Sequence, residues 1–248
     1  MNKIQVIYNG WGERWPLGTL AMDGAAPKFE YSPEALASKL ELSPYRVPLR
    51  SGLYQRGEVF FEGLSGFIAD ALPDGWGRML ITDIRVPVHT LAGLLHSDYR
   101  IPSIDAVEYL RFTKLITMDM REVNAVFDRS LFNLIFNNRD DHGKNFSYRL
   151  EKDGQWRLSP AYDLTFNQGP RGDHQMAYAG ETLAPSLANV LGVAEKGEVS
   201  EAAARNSIKR MVAVAGHLSK CAVDLPIRKT SLRTLVKAIA ENCARLRP

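Results

Sequence analysis

At Asn138 an amphipathic stripe gives way to eight residues with no large apolar side chain, and this break organises the chain around it. Upstream, Val123, Val126, Phe127, Leu131, Leu134 and Ile135 recur at three- and four-residue intervals, the period of one buried helix face. The loop that follows reads Asn138-Arg139-Asp140-Asp141-His142-Gly143-Lys144-Asn145. Phe146, Tyr148 and Leu150 then alternate with other residues, Lys152-Asp153-Gly154 turns the chain, and Trp156 and Leu158 alternate back. That pattern is a β-hairpin. A second polar cluster, Ser159-Pro160-Ala161-Tyr162-Asp163-Leu164, comes after it. Loops held on a rigid helix and hairpin are where catalytic and binding residues concentrate.

The residue types in these loops suit phosphoryl transfer. That reaction asks little covalent chemistry of a protein; it needs a carboxylate to orient the attacking hydroxyl and oxygen ligands to hold magnesium on the phosphates. In kinases one loop supplies the catalytic Asp and, five residues on, a metal-binding Asn, and a later Asp supplies a second metal ligand. Asp140 and Asn145 have that spacing, and Asp163 follows the hairpin, 18 residues after Asn145. Asp, Asn and Asp are hard oxygen donors, better matched to magnesium than to zinc. The competing reading of the same residues is an Asp/Asn-rich turn whose side chains cap backbone groups. Asp141 reads as a loop acid rather than a second base, and Tyr162 as a packing residue.

The remaining sequence divides in two. Ile4, Val6 and Tyr8 alternate, Asn9-Gly10 marks a turn, Trp15 to Met22 returns as the partner strand, and Asp23-Gly24 ends it. Ser32-Pro33-Glu34 ahead of Ala35, Leu36 and Leu40 reads as a capped short helix. Gly63 to Ile81 is a helical region interrupted by Pro73-Asp74-Gly75. From about Val88 the pattern turns helical, with Leu91, Leu94 and Leu95 on one face. In the tail, Ile208, Met211, Val212, Ala215, Leu218 and Ala222 share one helix face, and Leu232, Leu235, Val236, Ile239, Cys243 and Leu246 share another. The expected fold is α+β: a small β-rich subdomain over 1–84 and a mainly helical, protein-kinase-like lobe with a catalytic-loop hairpin over 85–248.

Composition narrows the partner classes. The 248 residues, 45% of them hydrophobic, are enough to bury a core. A formal charge of +3 with no dense Lys/Arg block argues against a nucleic-acid tail. Cys221 and Cys243 sit inside helical patterns without metal-ligand spacing, so both read as small buried side chains in a reducing compartment. No segment has the form of a signal peptide or a bilayer span. The expected setting is the cytoplasm, without membrane partners.

Asn137 to Leu150 (NNRDDHGKNFSYRL) followed by Leu158 to Phe166 (LSPAYDLTF) resembles the HipA-like serine/threonine kinases, toxins of bacterial type II toxin–antitoxin modules. FFEGLSGFIADALPDGWGRML (residues 60–80) resembles the family's N-terminal subdomain with its Pro-Asp-x-x-Gly-Arg motif, and VHTLAGLLHSDYRIPSID (residues 88–105) resembles the start of its helical lobe. The resemblance implies that Asp140 is the catalytic base, that Asn145 and Asp163 are magnesium ligands, and that His142 and Lys144 shape the loop or reach phosphate. It implies ATP and magnesium as cofactors, a protein Ser/Thr as substrate, and a helix-turn-helix antitoxin as partner, with DNA engaged only through that antitoxin. Small-molecule antibiotic kinases share the Asp…Asn…Asp layout, but PDGWGR and SPAYDLTF point to the HipA group.

The sequence departs from the family in one place. Between the Pro73–Arg78 motif and the helical lobe the family carries a Gly-rich loop over the phosphates and a strand lysine. Here only Met79 to Val88 join the two, too few for a loop, a strand and a helix. Gly24-Ala25-Ala26-Pro27-Lys28 resembles a Gly-Ala-Arg-Pro-Lys string of the family but precedes the N-terminal motif. The expectation is a shortened kinase, weakly active or inactive. The alternative is a catalytically dead module that binds the antitoxin and contributes to operon repression.

Overall fold

The computed structural model describes residues 3–23, 26–55, 64–71, 87–222 and 225–247. In chain order its elements are β1 (Lys3–Gly10), β2 (Glu13–Asp23), β3 (Ala26–Tyr31), α1 (Pro33–Ser38), β4 (Leu53–Tyr54), α2 (Gly66–Ala71), β5 (Val88–Thr90), α3 (Leu91–Leu95), β6 (Ile104–Asp105), α4 (Ala106–Thr117) and α5 (Met120–Ile135). A 3₁₀ turn (Gly143–Asn145) follows, then β7 (Ser147–Leu150), β8 (Trp156–Leu158), β9 (Met176–Ala177), α6 (Leu187–Lys196), α7 (Glu201–Gly216), α8 (Leu218–Cys221) and α9 (Lys229–Arg245). The chain forms two compact units, Met1–Tyr99 with Gly143–Ser159, and Arg100–His142 with Pro160–Pro248. The class is α+β, with sheets in the N-terminal region and helices in the C-terminal region. Among the described residues no helix is long and apolar enough to cross a membrane.

The first unit is built on an antiparallel sheet in the order β1-β2-β3-β4. Its first turn is not the expected Asn9-Gly10: both of those residues pair with β2, and the chain reverses at Trp11-Gly12. Trp11 and Gly12 both have positive φ, 53° and 84°, the requirement of a two-residue hairpin turn that matches strand twist. The register shifts at Val6/Ile7, opposite Pro16, a residue with no N–H to give the ladder. Tyr8 stacks on its cross-strand partner Trp15 at 4.4 Å between ring centroids. Phe29, buried, packs edge-on against Tyr31 and Phe67. Ser32 caps α1 by accepting from the Ala35 N–H, with Pro33 in the first turn, as the sequence predicts.

Val88 does not open a helix. Val88–Thr90 is a strand added to the hairpin, giving the sheet order β5-β7-β8, and α3 begins only at Leu91. The helical region expected from Gly63 to Ile81 is described at α2; its remainder, with the Pro73–Arg78 motif and most of the Met79–Val88 joint, lies outside the described residues. Helices α2 and α3 meet through glycines: a Cβ on Gly66 would collide with the Gly93 carbonyl. Around that contact Asp70 accepts from the Thr90 N–H and hydroxyl and pairs with His89 Nδ1, while His96 Nε2 accepts from the Gly66 N–H at 3.0 Å.

In the second unit Asp105 and Glu108 form a capping box on α4, and Asp119 caps α5. The buried face of α5 includes Val123, Val126, Phe127, Leu131, Leu134 and Ile135. Each such side chain contributes roughly 1.5–3 kcal/mol when fully buried. The first tail stripe belongs to two helices, not one: α7 stops at Gly216, and Leu218 lies on the separate short α8. Cys243 is buried, but Cys221 is exposed, against expectation.

A fully buried carboxylate–imidazole pair of this unit joins two irregular segments. Asp141 and His174 are both without side-chain exposure, with Oδ2 2.8 Å from Nδ1. The backbone N–H groups of Gln175 and Met176 donate to Asp141 Oδ1 at 2.8 and 3.2 Å. The Tyr178 hydroxyl lies 3.4 Å from Oδ2 and donates to the Ser130 carbonyl at 2.8 Å. Burial, reinforced by the Asp141 carboxylate, holds the Tyr178 phenol well above its usual pKa. These contacts agree with Asp141 being a loop acid: it ties the loop after α5 to the segment carrying β9.

Two stability tests follow from this architecture. Burial, with Arg46 and His89 nearby, lowers the His96 pKa to about 4 from 6.5. Between those values the unfolded chain binds a proton that the folded chain does not. Stability is therefore complete above about pH 6.5 and falls as pH drops toward about 4, by up to about 3 kcal/mol. Urea unfolding at about pH 7.5 and about pH 4.5 should show this loss, and His96→Gln should reduce it. Asp141→Ala strands two backbone donors and an imidazole in the interior. It should cost on the order of 3–5 kcal/mol in urea unfolding at neutral pH; a loss below about 1 kcal/mol would show that the carboxylate does not hold the loop.

Candidate active site

Helix α5 ends because its chain reverses into the left-handed region at Asn137, φ 56°, which Asn tolerates better than most residues. The last carbonyls of a helix have no partner within it. Here Asn242 of α9, buried, donates its amide to the carbonyls of Leu134 (2.9 Å) and Ile135 (3.3 Å) and to Asn137 Oδ1 (3.3 Å). Asn167 completes the frame: its N–H donates to the Asn137 carbonyl, and its own carbonyl accepts from the Arg139 N–H and from Asn137 Nδ2. The loop therefore leaves the helix on a backbone held from two sides.

The two adjacent carboxylates that follow have opposite environments. Asp141 is enclosed, whereas the Asp140 side chain is 45% exposed, with Oδ1 3.7 Å from His142 Nε2. That separation is an ion-pair distance, too long for a direct hydrogen bond. Asp163 is exposed, has φ 54°, and its main-chain carbonyl accepts from Asn138 Nδ2 at 3.3 Å. A non-glycine residue held in the left-handed region costs of order 1–3 kcal/mol, and such residues cluster at functional sites. Tyr162 is half-buried beside it.

Asp140, His142 and Asp163 belong to the helical unit; Lys144 and Asn145 belong to the sheet unit. Lys144 lies over the Tyr99 ring with Nζ 4.7 Å from the centroid, a cation–π contact. Asn145, half-buried, ends the 3₁₀ turn that precedes β7. Among the described residues no three His, Cys, Asp or Glu side chains gather as a metal cluster. The expected pair, Asn145 and Asp163, is smaller than such a cluster. Its donors, an amide oxygen and an exposed carboxylate, are of the hard kind that magnesium takes while keeping several waters, so the residues fit that ion chemically.

The sequence marks Asn138 only as the first residue of the polar loop, without a role, and does not mark Asn167 or Asn242. The Asn137-Asn138 pair at the end of an apolar stripe was a local signal for the first. Asn167 and Asn242 act on the loop from 30 and 105 residues away from Asn137, and no local pattern marks them.

Two family models match the chain. The HipA-like C-terminal domain covers residues 74–218 and the HipA N-terminal domain covers residues 8–95. No curated protein matches it. Among solved structures, a chain of the Shewanella oneidensis MR-1 toxin–antitoxin complex of HipA, HipB and operator DNA is similar at TM-score 0.53 and 13% identity. That likeness takes in 98% of this chain but 62% of the other, so this chain spans less than two thirds of its structural relative. The sheet-then-helix fold agrees with that neighbour, the C-terminal family model alone spans more than half of the residues, and the chain belongs to the HipA-like family.

Proposed function

We propose that this chain is a shortened serine/threonine protein kinase of the HipA toxin type, with the metal-binding side of the site retained and phosphotransfer weak or lost. In this reading residues 1–84 form the HipA N-terminal module and residues 85–248 the kinase-like lobe. The observation that carries the reading is the contrast within Asp140-Asp141. The second carboxylate is consumed by buried hydrogen bonds, while the first, at the catalytic-base position of the resemblance, is exposed beside His142. Asp140 would accept the proton of a protein Ser/Thr hydroxyl as its oxygen forms a bond to the γ-phosphorus of ATP. The bond to the bridging oxygen would break and ADP would leave. Magnesium, when bound, neutralises the developing phosphate charge. The resemblance makes Asn145 and Asp163 its ligands, and Lys144 lies over the Tyr99 ring of its own unit.

A second reading is favoured by the short Met79–Val88 joint. Phosphate binding in kinase sites uses backbone N–H groups and a lysine on one side and metal on the other, and the first set has no counterpart in this sequence. A chain without it could still engage a helix-turn-helix antitoxin and, through it, operator DNA. The structural neighbour is a HipA chain solved with HipB and operator DNA, which supports considering that role here.

Calorimetric titration with Mg-ATP separates the possibilities. The expected result is binding much weaker than low micromolar; low-micromolar binding would overturn the proposed loss of nucleotide affinity. Where radiolabelled phosphotransfer is detectable, Asp140→Asn should reduce it by about 10²–10⁴-fold, and Asp163→Asn should first raise the magnesium requirement. Phosphotransfer unchanged by Asp140→Asn would remove the base assignment.

A further inference from the structure

Asn138 joins the two loops through its side chain rather than through its backbone alone. Its backbone is fixed independently: the N–H donates to the Asn133 carbonyl at 2.9 Å, and the residue forms a parallel bridge with Asn167. Its amide Nδ2 uses both of its hydrogens, one toward Asn133 Oδ1 at 3.1 Å and one toward the Asp163 carbonyl at 3.3 Å. Asn133 lies buried on α5 and Asn138 is itself buried. A path of hydrogen bonds thus runs from a rigid helix, through the residue two before Asp140, to the backbone of Asp163.

The orientation of that amide is set by its partners. A main-chain carbonyl can only accept, so the nitrogen of Asn138 must face Asp163. Its oxygen, Oδ1, is then left buried without a partner among the described residues. A buried acceptor without a partner is unfavourable, and a side chain kept for packing alone would have no reason to carry one. What the arrangement secures is the peptide of Asp163, a residue held in the left-handed region, and with it the backbone position from which the Asp163 side chain departs. Among the described residues this is the hydrogen bond that holds Asp163.

The geometry points to Asn138 as the positioning residue that fixes the direction in which Asp163 presents its carboxylate to a divalent cation. This rests on the reading of Asp163 as a metal ligand. Asn138 does not touch the cation; it acts through the peptide of Asp163, as residues behind a metal ligand do when they orient it.

The test uses the whole chain with Mn²⁺ as the probe, free Mn²⁺ being measured by electron paramagnetic resonance, and does not depend on catalysis. Asp163→Asn should weaken Mn²⁺ binding at least about tenfold. Asn138→Leu, which removes the donor, should weaken it by about 10–100-fold. Val126→Ala, a core substitution on α5 that lowers the melting temperature without touching either loop, should leave the affinity within about twofold. Asn138→Ser carries the same criterion if Asn138→Leu does not fold. Mn²⁺ binding at the parental level in a folded Asn138 variant, with Asp163→Asn impaired, would overturn the positioning role while leaving the metal reading intact. If the parent chain does not bind Mn²⁺, or Asp163→Asn binds it as the parent does, the metal reading of Asp163 fails, and the inference fails with it.

Discussion

The carboxylate of Asp141 is the interaction on which the loop geometry depends. A charge without exposure is tolerable in a protein interior only when its lone pairs are filled. Here two backbone N–H groups, an imidazole nitrogen and a phenol surround it. The groups come from the irregular stretch carrying β9, which is also held by its two-residue pairing with β6, by the Tyr178–Glu181 bridge and by Asp105 at Ala179 and Gly180. Asp141 is enclosed, whereas the side chain of Asp140 is 45% exposed. Two neighbouring carboxylates of one loop thus have opposite environments, one spent on holding the loop and one facing water.

Neutral amides do the rest of the work around this loop. Four asparagines, at 137, 138, 167 and 242, pair their side chains with backbone groups around the loop, and Asn133 accepts from the amide of Asn138. An amide can give two hydrogens and accept at one oxygen without carrying charge into the interior, so it satisfies a helix end at lower desolvation cost than an ionised group would. Through Asn242 the last helix of the chain reaches back to the end of α5 and to Asn137. Its oxygen is in turn held by Arg245 at 3.0 Å. The α9 helix therefore has two roles: its apolar face packs in the helical unit, and one polar residue on it steadies the loop.

Much of this architecture is legible in the sequence, and most of what is not depends on partners far along the chain. Helix α5, the β7–β8 hairpin and the Ser32 cap are local: each is written in a stripe, an alternation or a capping residue within a few positions. Strands β3 and β4 are not among the expected elements, and β5 stands where a helix is expected; β4 and β5 exist by pairing with a distant strand, Tyr54 with Phe29 and Val88 with Arg149, whereas β3 returns directly along β2. The misplaced first turn had a local reason. Asn-Gly is a strong turn signal, but the following Trp11-Gly12 was taken instead, which lets Tyr8 pair and stack with Trp15. The packing of an aromatic pair overrode a two-residue propensity. In the site, Asp140, Asn145 and Asp163 could be picked out by spacing and resemblance, whereas Asn242 could not, since a single Asn on an amphipathic helix has no spacing to betray it.

The exposure of these acids bears on what such a site can achieve. Two unit charges 4 Å apart interact by about 1 kcal/mol in water and by about 4 kcal/mol at the effective dielectric near a protein surface. Catalysis of phosphoryl transfer draws on a drier setting than either, where preorganised groups face developing charge away from bulk water. Asp140, 45% exposed, and Asp163, also exposed, sit in the surface regime. The asparagine frame and the Asp141 anchor act on the stiffness of the loops, not on their enclosure, so the two properties can be lost separately. A loop that stays stiff without a cover retains the geometry to bind a cation or a partner, but the electrostatic gain that separates binding from catalysis requires the water to be gone.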